Sequence, residues 1–228
     1  MRATELIVFP EHSDGATQAR GGTSARSRVR HWPVRAGLPA TARACQSRLA
    51  VILAADVAGY SRHMAEDEAG THARLTAILR TVIEPAIARY DARVVKKTGD
   101  GFLAEFASAT ASVRCAVQFQ DAIRAWNGRR GRGRSLQFRV GINLGDVIVE
   151  PQDVFGHSVN VAARLEALAE PGGILVSHAV SASVRDPTLS FEDVGELSLK
   201  NMAETVRGFR VLPRRSTGSV RESRATGS

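Results

Sequence analysis

The sequence predicts an α+β fold, a split βαβ layout in which an antiparallel sheet carries helices on one face. Three observations predict it. Patterns between residues 49 and 212 follow the order strand, helix, strand, strand, helix, strand. Gly99-Asp100-Gly101 stands between two strand-like runs, and Asp-Gly is a strong hairpin signal. The 228 residues, 43% of them apolar, suffice for one sizeable core and not for two.

Leu49 to Asp56 is an apolar run with the length of a buried strand; Gly59 then marks a turn, and Ser61 is placed to cap a helix. Residues 66–89 set Leu75, Ile78, Leu79, Val82 and Ile83 at helical spacing and are expected to form one amphipathic helix. Strands follow at Arg93–Thr98 and Phe102–Phe106. Residues 108–126 return to helical spacing with Val113, Val117, Phe119 and Ile123, and the Gly/Arg-rich stretch 128–134 is a loop. Two strands, at about 136–143 and 146–150, flank Gly145-Asp146, a second hairpin signal. A helix over 157–169, a strand near 173–176, a short helix near 178–184 and closing strands near 189–196 and 206–212 complete the chain. A sheet of this ferredoxin-like kind leaves one face uncovered, where a partner subunit fits.

Formal net charge is +8, which invites a nucleic-acid or membrane-surface reading. Its distribution argues otherwise. Residues 1–48 hold eight Arg against Glu5, Glu11 and Asp14, and residues 213–228 hold four Arg against Glu222. Residues 49–212 balance 19 Lys and Arg with 19 Asp and Glu, so the excess belongs to the two ends. Their Gly, Ser, Thr, Arg and Pro content predicts disorder. The domain reading is a disordered basic tail over 1–47, one domain over 48–212 and a disordered tail over 213–228. No nucleic-acid partner is expected. Apolar runs such as Leu49 to Ala55 fall far short of the ~20 residues that cross a bilayer. Leu6 to Phe9 is shorter than a secretory h-region of roughly 7–15 residues. Cys45 and Cys115 have the spacing of neither a disulfide framework nor a metal site. The expected location is therefore the cytoplasm, with no membrane partner.

Asp56 closes an apolar strand, an unusual place for a carboxylate unless something binds it. Asp100 sits at the tip of a hairpin whose strands would lie beside that first strand. Two carboxylates brought together from separate strand ends suit a hard divalent cation such as Mg²⁺, usually held by one or two carboxylates and substrate phosphates. The plain alternatives are a helix cap for Asp56 and a turn residue for Asp100. Asn160 and Arg164 are four residues apart and share a helix face, where an amide and a guanidinium suit a ribose oxygen and a phosphate. A solvated polar face explains them equally well. Lys96, among alternating apolar neighbours, reads ordinarily as an exposed strand lysine.

Five ordered segments then combine. Ala55-Asp56-Val57-Ala58-Gly59-Tyr60-Ser61, Lys96-Lys-Thr-Gly-Asp100-Gly-Phe102, Val140-Gly-Ile-Asn-Leu-Gly-Asp146, Asp153-Val-Phe-Gly156 and Val159-Asn160-Val-Ala-Ala-Arg164 closely resemble the catalytic domain of class III nucleotidyl cyclases, the bacterial adenylate cyclases above all. The resemblance covers about residues 47–212 and implies the cyclase fold, with its C-terminal extension of the sheet. It further implies that Asp56 and Asp100, assisted by the backbone carbonyl of Val57, bind two Mg²⁺ or Mn²⁺ ions. Lys96 and Asp153 match the pair that reads the purine. Asn160 matches the residue that orients the ribose, and Arg164 the one that stabilises the pentavalent phosphorus. A Lys donor and a carboxylate acceptor fit adenine, whereas guanine-selective members typically carry Glu and Cys there. ATP is the expected substrate; cyclic AMP and pyrophosphate are the expected products. Within the family the metal pair comes from one protomer and the purine and transition-state residues from the other, which implies a head-to-tail homodimer with two interface sites.

The family often carries a second lysine that contacts the terminal phosphates. The aligned position here is Met202, with Lys200 two residues earlier. Lys200 as its replacement and Lys200 as a solvated loop residue both stand open. The competing function is a catalytically silent cyclase-like module that binds nucleotide and regulates another process.

Overall fold

A strand apolar at every position has to be covered on both faces, because successive side chains point to opposite sides. The run from Ala50 to Ala55 in the first strand, β1 (Gln46–Val57), meets that condition at the centre of the fold. Val51, Leu53, Ala55 and Val57 enter one core with Leu75, Ile78, Phe119 and Ile123, while Ala50, Ile52 and Ala54 face Val147, Val154, Val159 and Ala162 on the other side. The structure is a computed structural model that describes residues 46–129, 135–150, 153–200, 202 and 204–212. The expected disordered tails lie outside those residues, except that β1 begins at Gln46, two residues inside the expected boundary. Residues 130–134 of the expected loop also lie outside them.

After β1 come α1 (Tyr60–Glu66), α2 (Glu68–Ile78), a π turn (Leu79–Ile83) and α3 (Glu84–Arg89), in place of the single helix expected over 66–89. Two local causes divide it. Asp67 ends α1 and caps α2, its carboxylate accepting from the Gly70 N–H at 2.9 Å. Pro85 has no N–H for the Thr81 carbonyl and its ring crowds that carbonyl, so the turn before it widens and Glu84 N–H donates to Leu79 O. The expected Ser61 cap is also corrected: Gly59, left-handed at φ 67°, holds the N-cap position of α1, with no side-chain cap.

Next are β2 (Arg93–Lys97), β3 (Gly101–Phe106) and α4 (Ala109–Gly128), whose cap Ser108 accepts from Ala111 N–H. β4 (Phe138–Val149), β5 (Val154–Phe155), α5 (His157–Leu168), β6 (Ile174–Ser177), α6 (His178–Ser183), β7 (Ser190–Ser198) and β8 (Thr205–Leu212) follow. The strands form one sheet in the order β2-β3-β1-β4-β6-β8-β7, with β5 also on β4. Only the β4–β6 pair among these is parallel.

The hairpin expected at Gly145-Asp146 does not form. β4 runs through it unbroken and pairs with β1 from Phe138↔Val57 to Val149↔Gln46. The reversal comes later, where Glu150 N–H donates to Asp153 O at 2.9 Å before β5. Gly145 serves packing instead: a Cβ there would strike the Ser158 hydroxyl, and one at Gly141 would strike the Glu166 and Ala162 backbone of α5. These two glycines let α5 lie directly on β4.

The α+β class and the split βαβ core are as the sequence predicts, with α2 and α4 on one face. One detail changes, because α5 lies on the other face, between the β1–β4 cluster and a third cluster formed with Leu175 and Leu199. The face expected to be bare is therefore partly covered, and it is the face that holds the site.

Candidate active site

Side chains alternate along β1, and Ala50, Ile52 and Ala54 look toward α5; Asp56 is the next residue in that alternation and ends the same face. In register Asp56 stands between Gly101 on β3 and Arg139 on β4. Gly101 is required for this closeness, because a Cβ there would strike the Ala55 carbonyl. The hairpin tip is tied to the end of β1 by Val57 N–H donating to Asp100 O at 3.1 Å. The two carboxylates thus come from separate strand ends to one place, as the sequence predicts.

Arg139 joins them. Its Nε donates to Asp56 Oδ1 at 2.9 Å and its Nη2 donates to Asp56 Oδ2, a forked pair that engages both carboxylate oxygens. The same guanidinium reaches the last turn of α5, with Nη1 donating to Ala167 O at 3.2 Å and Nη2 lying 3.3 Å from Glu166 Oε1. The Glu166 side chain is only 13% exposed, and burial followed by the nearby Asp56 pushes its carboxyl up to about 9. Burial also raises Asp100, against a lowering backbone hydrogen bond, and Asp56 adds to the rise.

Sequence reasoning missed Arg139 and Glu166. Their signals were present. Arg139 is a charge within a strand whose neighbours Phe138 and Val140 are buried, and Glu166 lies four residues after Ala162 on the inward stripe of α5.

Asp56, Asp100 and the Val57 carbonyl are all oxygen donors, which suits a hard divalent ion. Among the described residues no group of three or more His, Cys, Asp or Glu suits a metal. Two carboxylates would thus depend on substrate phosphates to complete the shell, as Mg²⁺ commonly does.

A second pair lies on the same side of the sheet. A bulge between Val94 and Lys96 sets Lys96 opposite Leu103, and its Nζ donates to Asp153 Oδ2 at 2.7 Å. The other Asp153 oxygen accepts from Val154 N–H at 2.9 Å. Lys96 foremost holds the Asp153 carboxyl below the usual carboxylate range. Asn160 is exposed and Arg164 half-buried on α5, one turn apart. The described contacts bring neither of them to the Asp56 cluster or to the Lys96–Asp153 pair. Lys200 is exposed after β7, whereas Met202 packs on the cluster of Val161, Leu165 and Leu199. A cavity of about 250 Å³ beside α4, walled by Val117, Gln120, Arg124 and Arg210, contains none of these residues.

Residues 44–212 match the family model described as the adenylate and guanylate cyclase catalytic domain. The chain belongs to that family. Its cyclase domain is 48% identical over 160 residues to "Putative adenylate cyclase 3" of Rhizobium meliloti (strain 1021), covering 70% of this chain and 27% of that protein. The chain thus spans about a quarter of that relative's length. Among solved structures, the adenylate/guanylate cyclase/hydrolase from Silicibacter pomeroyi is 43% identical with a TM-score of 0.67, covering 74% of this chain and 98% of that one. The adenylyl cyclase CyaB from P. aeruginosa, at 22% identity and a TM-score of 0.66, covers 75% and 97% and shows the shared fold. Among the described residues of the cyclase domain no helix is long and apolar enough to cross a membrane. Cys115 is free and buried, and burial pushes its thiol up to about 12; Cys45 lies outside the described residues.

Proposed function

We propose that this cyclase domain is an adenylate cyclase that converts ATP into 3′,5′-cyclic AMP and pyrophosphate in the cytoplasm, at two sites formed between two copies of the chain. The Lys96–Asp153 contact carries the choice of purine. A donor and an acceptor stand side by side at 2.7 Å, complementary to the adenine ring nitrogen, which accepts, and to the exocyclic amine, which donates. The name of the Rhizobium relative supports the same choice.

Two Mg²⁺ or Mn²⁺ ions, held by Asp56, Asp100 and the Val57 carbonyl, would favour ionisation of the ribose 3′-hydroxyl and neutralise the triphosphate. Asn160 orients the ribose, so that the 3′-oxygen faces the α-phosphorus. That oxygen forms the new P–O bond, the bond to pyrophosphate breaks, and the hydroxyl proton leaves to solvent. Arg164 stabilises the charge that grows on the phosphoryl oxygens. Lys200, exposed after β7, is assigned to the terminal phosphates in place of Met202, which packs on an apolar cluster.

Purified protein with Mn²⁺ or Mg²⁺, supplied separately with ATP and GTP and analysed by chromatography, tests this reading. Cyclic AMP from ATP, with GTP turned over far more slowly, is the expected result. A chain that dimerises yet makes no cyclic nucleotide with either metal, or one that prefers GTP, would overturn it.

A further inference from the structure

The guanidinium of Arg139 sits between the carboxyl groups of Asp56 and Glu166, and the metal reading gives that position a consequence. A forked bond occupies both oxygens of Asp56, the same oxygens a divalent ion would need. Arg139 therefore has to leave Asp56 before Asp56 can ligate metal.

The structure provides a destination. Nη1 already donates to Ala167 O at 3.2 Å, and Nη2 is 3.3 Å from Glu166 Oε1. That Glu166 oxygen is buried and has no hydrogen bond within the described structure, and the Arg139 guanidinium is the donor group standing against it, with Nη2 3.3 Å away. A small rotation at the end of the Arg139 side chain would strengthen the Glu166 contact as it releases Asp56. Both acceptors belong to the last turn of α5, which the close contact at Gly141 fixes against β4.

We propose that Arg139 exchanges between Asp56 in the metal-free chain and Glu166 in the metal-bound chain, with Glu166 acting as the positioning residue that receives it. The inference rests on the metal reading of Asp56 and Asp100. It makes metal affinity a competition between a divalent ion and a resident guanidinium. Arg139 is thereby a gate on metal entry, and Glu166 sets how readily the gate opens.

Direct Mn²⁺ binding without nucleotide, read from the electron paramagnetic resonance signal of free Mn²⁺, tests the exchange apart from activity. Arg139→Lys keeps the charge and loses the fork. The exchange predicts that Arg139→Lys and Arg139→Ala both bind Mn²⁺ about tenfold more tightly than wild type, the scale on which residues around metal ligands act. Glu166→Gln should weaken binding when Arg139 is present and have a smaller effect in the Arg139→Ala background. Wild-type affinity in Arg139→Lys, or an equal effect of Glu166→Gln in both backgrounds, would overturn the exchange and leave only charge effects. Wild-type chain that binds Mn²⁺ no better than Asp56→Asn would overturn the metal reading itself, and the exchange with it.

Discussion

Glu166 is shielded from water and faces Asp56, and both conditions favour its protonated form; its carboxyl is pushed up from 4.5 to about 9. An acid whose folded value lies above its unfolded value stabilises the fold at low pH and loses that contribution as pH rises. Metal-free protein should therefore melt at progressively lower temperature between about pH 5 and 9, and Glu166→Gln should flatten most of that slope. Thermal scans in a chelator across this range measure it, and an unchanged slope in Glu166→Gln would contradict the assignment. Asp100 shifts in the same direction, whereas Asp153 is lowered and so contributes only to losses in acid. For the purine, Lys96→Ala should lower kcat/KM for ATP by about 10–100-fold, on the scale of a charge-assisted hydrogen bond. Lys96→Glu with Asp153→Cys should move preference toward GTP; steady-state kinetics with both nucleotides decides this. Ordered motifs made Asp56, Asp100, Lys96, Asp153, Asn160 and Arg164 legible as candidates. Arg139 and Glu166 were not legible as partners, because strand register brings Arg139 opposite Asp56 and a helix–strand contact brings Glu166 to both.

The path of α5 depends on glycine at two positions of β4. A Cβ at Gly141 would meet α5 backbone, which cannot move without lifting the helix, whereas one at Gly145 would meet a serine hydroxyl that can rotate. Gly141→Ala should thus destabilise by ~1–3 kcal/mol, as overpacking does, and Gly145→Ala by less. Urea unfolding midpoints provide the comparison; equal costs would mean that α5 does not press on β4 as described. Most elements were readable from apolar periodicity, including α4 and the β2–β3 hairpin. Two of the errors shared one physical source: local signals with more than one use. Gly145-Asp146 resembles a turn but serves helix packing, and Pro85 divides a helix whose apolar spacing continues across it. The position of α5 on the second face depends on packing that no single segment encodes.

For the whole molecule, the described chain presents separate groups on one face of its sheet: Asp56 with Asp100, Arg139 and Glu166; Lys96 with Asp153; and the outward Asn160 and Arg164. The proposed dimer would set the metal group of one copy against the other two groups of its partner. Charge fits this reading as well, because residues 49–212 are formally neutral and the +8 of the chain lies in its ends. Specific activity should accordingly rise with protein concentration as dimers form. Mixing two inactive variants tests the central claim most directly. Asp56→Ala and Arg164→Ala should each be inactive alone, yet an equimolar mixture allowed to re-equilibrate should recover about a quarter of wild-type activity, since half the dimers would hold one intact site of two. A mixture as inactive as its components, with exchange of subunits shown independently, would contradict a site shared between two chains.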